Sequence, residues 1–274
     1  MSPTLLLAMT SVLLAHFGQP ATRPTDSIVP EGAIVLPDPG EIVDRPPRDD
    51  DPQQKRSFTS GETGVTLSYL VALPEGYDDD PDRDWPLVIF LHGIGERGDD
   101  ANKVKAWGPP RMIAAGQRYD AIVVSPQCPE STWWPREVET LDAFLDKVID
   151  DYRVDEDRVL LTGLSMGGYG TFAWGAASPE RFAALAPVCG AGDAASAKAI
   201  GESGVPIRMF HGLDDPVVPA AQSMMMYNGI KAAREDGGAE CELTLFEGVA
   251  HLSWPYVYED EPFWSWLLAQ KRGD

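Results

Sequence analysis

Basic residues are scarce in this chain: 22 Lys and Arg stand against 43 Asp and Glu, a formal net charge of −21. A surface of that sign repels phosphate backbones and anionic headgroups, which sets nucleic acid aside as a partner. Cysteine is scarcer still. Three Cys in 274 residues is an odd count, so there is no disulfide framework. Metal-binding patterns are missing. There is no H-E-x-x-H and no C-x-x-C, and the four histidines are dispersed, so no metal or other cofactor is expected. No apolar run is long enough to span a bilayer. Leu5 to Ala15, LLLAMTSVLLA, suits the h-region of a signal peptide. Residues 1–18 are therefore expected to direct export, to the periplasm or the medium, and the mature protein to carry no membrane span. No Cys precedes Cys128, which excludes a lipoprotein anchor on this segment.

What is present falls into two textures. Residues 19–56 are rich in Pro, Asp and Glu and have almost no aromatics and no helical or strand period. They read as a disordered acidic linker. From Ser57 to the end, residues 57–274, the sequence reads as one catalytic domain with no internal repeat. Apolar strand candidates occur at Val65–Leu73, Pro86–Leu91, Ala121–Val124, Arg158–Thr162, Ala183–Val188, Ile207–Phe210 and Glu242–Phe246. Helical spacing occurs at Leu141–Tyr152, Met166–Ala177, Ala220–Glu235 and Pro262–Lys271. Short apolar strands alternating with helices predict an α/β fold, a mostly parallel sheet covered on both faces. Such sheets place their chemistry beyond the carboxyl ends of the strands.

The strongest motif sits at such an end. Gly163-Leu164-Ser165-Met166-Gly167-Gly168 follows the strand RVLLT and opens a helix. This is a nucleophile elbow, G-x-S-x-G. The glycines flank Ser165 because the turn leaves no room for side chains. The turn lifts the hydroxyl above the sheet and aims the N–H of Met166 at a developing oxyanion. A serine hydroxyl needs a base. Only His251 lies after the last strand, and the order Ser, acid, His makes it that base. The acid should follow an intervening strand, and Asp214 and Asp215 compete in HGLDDPVVP. The second oxyanion donor should come from the glycine-rich loop HGIGERG after VIFL: the N–H of Ile94, with Gly93 as runner-up. Trp133, Trp134 and Trp254 are expected near the mouth of such a site, where they either wall an acyl or aryl pocket or pack loops on the sheet.

Several blocks carry a resemblance: LHGIGERGDD, GPPRMIAAGQ, VVSPQCPESTWW, YRVDEDRVLLTGLSMGGYGTFAWG, PVCGAGD, HGLDDPVVP and HLSWPYVYED. Together they resemble the bacterial α/β-hydrolases known as predicted peptidases. These are related to phospholipase/carboxylesterases, dienelactone hydrolases, and polyhydroxybutyrate-depolymerase-like or feruloyl esterases. The resemblance covers nearly everything from Ser57 to Arg272 and implies an α/β-hydrolase fold without a large cap domain. In the family pattern the acid is the Asp before Pro-Val-Val, which falls on Asp215. The usual Gly before the base is here Ala250. The family's sheet order also puts Cys128, Cys189 and Cys241 too far apart to bridge, so three free thiols are expected.

These readings converge on a serine esterase cleaving small-molecule or polymer-linked carboxylic esters through an acyl-enzyme. A serine peptidase with the same three residues is the alternative. A non-catalytic binding module on this fold is a further one, and the complete residue set speaks against it.

Overall fold

The computed structural model describes residues 29–43, 45–234 and 238–273. The expected signal peptide, and the expected linker as far as residue 28, lie outside the described residues. Among the described residues there are nine strands: β1 Ile34–Leu36, β2 Gln54–Thr59, β3 Thr66–Ala72, β4 Trp85–Leu91, β5 Ile122–Gln127, β6 Val154–Leu164, β7 Ala184–Val188, β8 Ile207–Gly212 and β9 Cys241–Phe246. The α-helices are α1 Gly108–Ala114, α2 Val138–Asp151, α3 Met166–Ala177, α4 Ala194–Ser203, α5 Ala221–Ala233, α6 Trp254–Tyr258 and α7 Glu261–Ala269.

The strands form one sheet in the order β1-β9-β8-β7-β6-β4-β5-β3-β2. Only the β2–β3 and β3–β5 pairings are antiparallel; the rest are parallel. The alternation of side chains along β4 explains the layering. Leu87, Ile89 and Leu91 join one core cluster with α2 and α5, through Leu141, Phe144, Leu145 and Ile230. Val88 and Phe90 join the other, with Met112 and Ile113 of α1 and Tyr258, Phe263 and Leu267 of α6 and α7. Each side chain fully buried this way is worth about 1.5–3 kcal/mol. Among the described residues no connection between strands holds more than one α-helix, so the sheet carries no large cap there.

From residue 29 onward the expected linker differs from its sequence reading. Residues Ile34–Leu36 pair in parallel with Thr244–Phe246 at the sheet edge. Strand β2 begins at Gln54 and pairs with β3. Tyr227 Oη donates to Glu31 O at 3.2 Å, and Tyr256 Oη to Gly40 O at 2.9 Å. The physical reason is that a strand edge is matched by backbone N–H and C=O groups, which every residue but proline supplies. No apolar period is needed, and Ile34, Val35 and Leu36 are all exposed. Cys128, Cys189 and Cys241 are free thiols.

Candidate active site

Ser165 caps the N-terminus of α3 at φ 52° and ψ −115°. A positive φ on a non-glycine residue is strained, and such strain persists only where its surroundings enforce it. Here they do. The Ser165 N–H donates to Val188 O at 2.9 Å, and the Ser165 carbonyl accepts from the Tyr169 N–H at 3.0 Å. The turn also needs close backbone approach. A Cβ on Gly167 would lie 1.8 Å from Leu91 O, and one on Gly168 would lie 2.6 Å from Val188 O. These are collisions with backbone that no rotamer relieves.

The connections that follow β8 and β9 bring two further groups to this carboxyl edge. His251 Nε2 stands 2.9 Å from Ser165 Oγ. On its other side, His251 Nδ1 stands 2.6 Å from Asp215 Oδ2. The carboxylate can only accept, so Nδ1 carries the proton and Nε2 is free to take one from the serine. Asp215 Oδ1 accepts from the N–H groups of Val217 and Val218 at 2.8 and 2.9 Å. Burial pushes this carboxyl up. Hydrogen bonds from His211 and His251, the charge on His251 and the Val218 N–H outweigh it and hold it down at about 2. Asp214, the other aspartate of the pair, is exposed, and its N–H donates to Val249 O at 3.0 Å. Asp215 is therefore the acid of this pair that reaches the histidine.

The loop after β4 passes beside Ser165. A Cβ on Gly93 would be 3.8 Å from Ser165 Cβ and 2.9 Å from Leu164 Cδ1. Ile94 opens a 3-10 turn, Ile94–Glu96, with its side chain exposed. Met166 is the first residue of α3, and the leading N–H groups of a helix have no acceptor within it. Met166 adjoins the serine in sequence, and Ile94 follows the Gly93 that passes beside it. The loop is braced from beneath. His92 Nε2 accepts from Cys128 N–H at 2.9 Å, so its proton is on Nδ1, which donates to Gly93 O at 2.6 Å. Burial holds His92 down at about 4, against the pull of the Gly93 carbonyl, so the ring is neutral at ordinary pH. Glu96 is also buried, and burial pushes its carboxyl up to about 7 despite the Gly93 and Glu96 N–H groups. Glu96 is expected from the sequence to brace this loop rather than react; His92 does not announce its role in the sequence beyond its place at the head of a glycine-rich loop.

The three tryptophans separate. Trp133 is 36% exposed and lies against Tyr169, ring centroids 6.0 Å apart. Tyr169 is one helical turn beyond Ser165, so this aromatic pair borders the nucleophile. Trp134 is fully buried. Its Nε1 donates to His92 O at 2.9 Å and its ring packs edge-on against His92. It lies beneath the site, not in it, which corrects the expectation of a substrate-contacting residue. The backbone at Trp133 is extended, φ −151° and ψ 155°, so neighbouring side chains point to opposite sides. Trp254 is buried and stands edge-on to the His251 ring, centroids 5.4 Å apart. It backs the histidine.

Donor atoms of Cys189, Asp215 and His251 lie within 4.8 Å of one another, the grouping among the described residues that could hold a metal ion. Burial, with the charge of Asp215 beside it, pushes the Cys189 thiol far above the usual range. The donor set thus offers a neutral thiol and a His–Asp pair already joined by a hydrogen bond. Among the described residues no helix is long and apolar enough to cross a membrane.

Comparison with known proteins agrees with this architecture. The phospholipase/carboxylesterase family model matches residues 119–260. Feruloyl esterase C of Emericella nidulans is 27% identical over 176 residues, which are 63% of this chain and 64% of that protein. The crystal structure of a thermostable esterase superimposes with a TM-score of 0.69 at 33% identity, over 81% of this chain and 64% of that one. A feruloyl esterase module from Clostridium thermocellum complexed with sinapinate shares the fold, with a TM-score of 0.60 at 18% identity over 82% of this chain and 94% of that one. The chain thus spans a little under two thirds of the length of the first two relatives.

Proposed function

The chain belongs to the phospholipase/carboxylesterase family of α/β-hydrolases, and we propose that it is a serine esterase acting on carboxylic esters through an acyl-enzyme. One observation carries the reading: a strained Ser165 with its hydroxyl 2.9 Å from a histidine whose other nitrogen is held by a buried carboxylate. Ser165 Oγ attacks the ester carbonyl while His251 Nε2 takes its proton. The oxyanion is met by the Met166 and Ile94 N–H groups. His251 then gives the proton to the leaving alcohol, whose departure leaves the acyl group on Ser165. Water repeats the sequence and frees the acid. Asp215 stays ionised throughout and stabilises the imidazolium.

The relatives named as feruloyl esterases, and the aromatic border made by Trp133 and Tyr169, support an aromatic acyl group lying against that pair. The ester alcohol is a small molecule or part of a polymer. The expected apolar leader supports an exported enzyme. The test is a panel of methyl hydroxycinnamates, short alkanoyl esters and peptides, assayed with the wild type and Ser165→Ala. Hydrolysis of the hydroxycinnamates in preference to alkanoyl esters, lost in the variant, is the expected result. Cleavage of peptides in preference to every ester overturns it.

A further inference from the structure

Asp215 has a second histidine. His211, at the carboxyl end of β8, is fully buried. Its Nε2 stands 3.2 Å from Asp215 Oδ2, the oxygen that also receives His251, and 2.8 Å from Val218 O. Both neighbours are pure acceptors, so Nε2 carries a proton whatever the charge on the ring. On the other side, Nδ1 lies 2.7 Å from Ser223 Oγ on α5, and that hydroxyl lies 3.3 Å from Gly190 O. A hydroxyl either donates to Nδ1 or accepts from it and donates to Gly190, so this end is satisfied in both ring states.

We propose that His211 is a positioning residue for the catalytic base, pinning Asp215 Oδ2 from behind and drawing off part of the negative charge that the carboxylate presents to His251. The inference rests on the esterase reading above. Asp215 is thus met by Val217 and Val218 N–H on Oδ1 and by His251 on Oδ2, with the single His211 Nε2–H, shared with Val218 O, 3.2 Å from that same oxygen. A rotation that swings Oδ2 away from His251 would break these contacts together. Tyr169 on α3 and Cys189 after β7 face the same carboxylate. Burial leads in raising both, with the Asp215 charge adding to it, so both remain neutral over a neutral-pH assay. The two histidines are the neighbours left to modulate its charge.

The sign follows from electrostatics. Without the His211 donor, Asp215 turns more unshared charge on His251 and favours the imidazolium. The base then becomes available only at higher pH. In His211→Leu, the acid limb of the pH profile for kcat/KM should move up by at least about half a pH unit. His211→Asn should do the same. It keeps a polar group toward Ser223 but is too short to reach Asp215, and it serves where the leucine variant does not fold. His211→Gln places an amide N–H where Nε2 was and should return the limb toward that of the wild type. The rate of Ser165 phosphonylation by a fluorophosphonate, followed against pH in the same proteins, reads the base without depending on which ester is the substrate. Coincident limbs in folded Leu or Asn variants, or a limb that moves down, overturn the proposal while leaving the esterase reading standing. A wild type that neither hydrolyses esters nor reacts with the fluorophosphonate overturns both.

Discussion

Asp215 Oδ2 lies 2.6 Å from His251 Nδ1, while its chain neighbour Asp214 is turned to solvent. The two aspartates differ by one position along a turn, and only one can orient the histidine. Asp215→Asn should therefore lower kcat by about ten-thousand-fold, because an amide that donates toward Nδ1 forces the wrong tautomer. Asp214→Asn should leave kcat within about two-fold, as surface substitutions away from a site generally do. Steady-state rates on one ester decide it, and a larger loss in the Asp214 variant would transfer the role.

Trp133 and Trp134 are adjacent and should respond in opposite ways. Trp133→Ala removes the exposed half of an aromatic pair with the half-buried Tyr169. It should raise KM for aromatic esters by about ten-fold, the cost of one lost apolar contact of about 1.4 kcal/mol, with an unchanged urea midpoint. Trp134→Ala empties a fully buried site and leaves the His92 carbonyl without its indole donor. It should destabilise the fold by about 3–5 kcal/mol. Equal loss of stability in the two variants would show that Trp133 is packed as firmly as its neighbour.

The contrast marks what the sequence could tell. Ser165 is legible because its turn collides with any side chain at 163 or 167, and the glycines that relieve the collision are written in the chain. The parallel sheet is legible from apolar runs such as Leu87–Leu91, buried on both faces. Which of two adjacent tryptophans faces the solvent depends on where β5 ends and the chain turns, which periodicity does not register. The strand Ile34–Leu36 is invisible for a different reason: it is held through backbone groups of β9 and has no buried face of its own. His211 could be seen as one of two His-Gly pairs after a strand, but its link to Asp215 depends on the path of the loop that returns Val218 beneath it. Asp214 and Asp215 are chemically alike, and only the fold separates them.

Gly167 should not tolerate even one methyl group. Its Cβ would stand 1.8 Å from the Leu91 carbonyl oxygen and 2.9 Å from that of His92. Both belong to the strand and loop that bring Gly93 and Ile94 to the serine. Gly167→Ala must push α3 off β4, which should cost more than about 3 kcal/mol of stability and most of the activity together. Gly95 meets nothing within 4 Å of its Cβ position. Gly95→Ala is the control and should unfold at the wild-type urea midpoint. A Gly167→Ala protein with the midpoint of that control would mean that helix and strand leave room for a methyl group at 167.

Glu96 and His92 impose opposite pH dependences on stability from the same loop. His92 Nδ1 and Glu96 Oε2 are 3.9 Å apart. Glu96 is raised by burial from 4.5 to about 7. Between those values the folded chain holds a proton that the unfolded chain has released. Its contribution is complete below about pH 4.5 and is lost as pH rises toward 7. His92 is lowered by burial from 6.5 to about 4. Between those values the unfolded chain holds the extra proton, so its contribution grows as pH rises toward 6.5. In the wild type the two slopes cancel over the shared window. Glu96→Gln leaves the His92 slope alone, so the variant should gain on the wild type by about 2–3 kcal/mol between pH 4.5 and pH 7. The measurement is the difference between their urea unfolding free energies at the two pH values. The Arg97 charge also acts on His92 but is present in both proteins and drops out of that difference. A difference that stays constant with pH would mean that Glu96 is ionised and solvated at neutral pH, and is not the buried acid that braces Gly93.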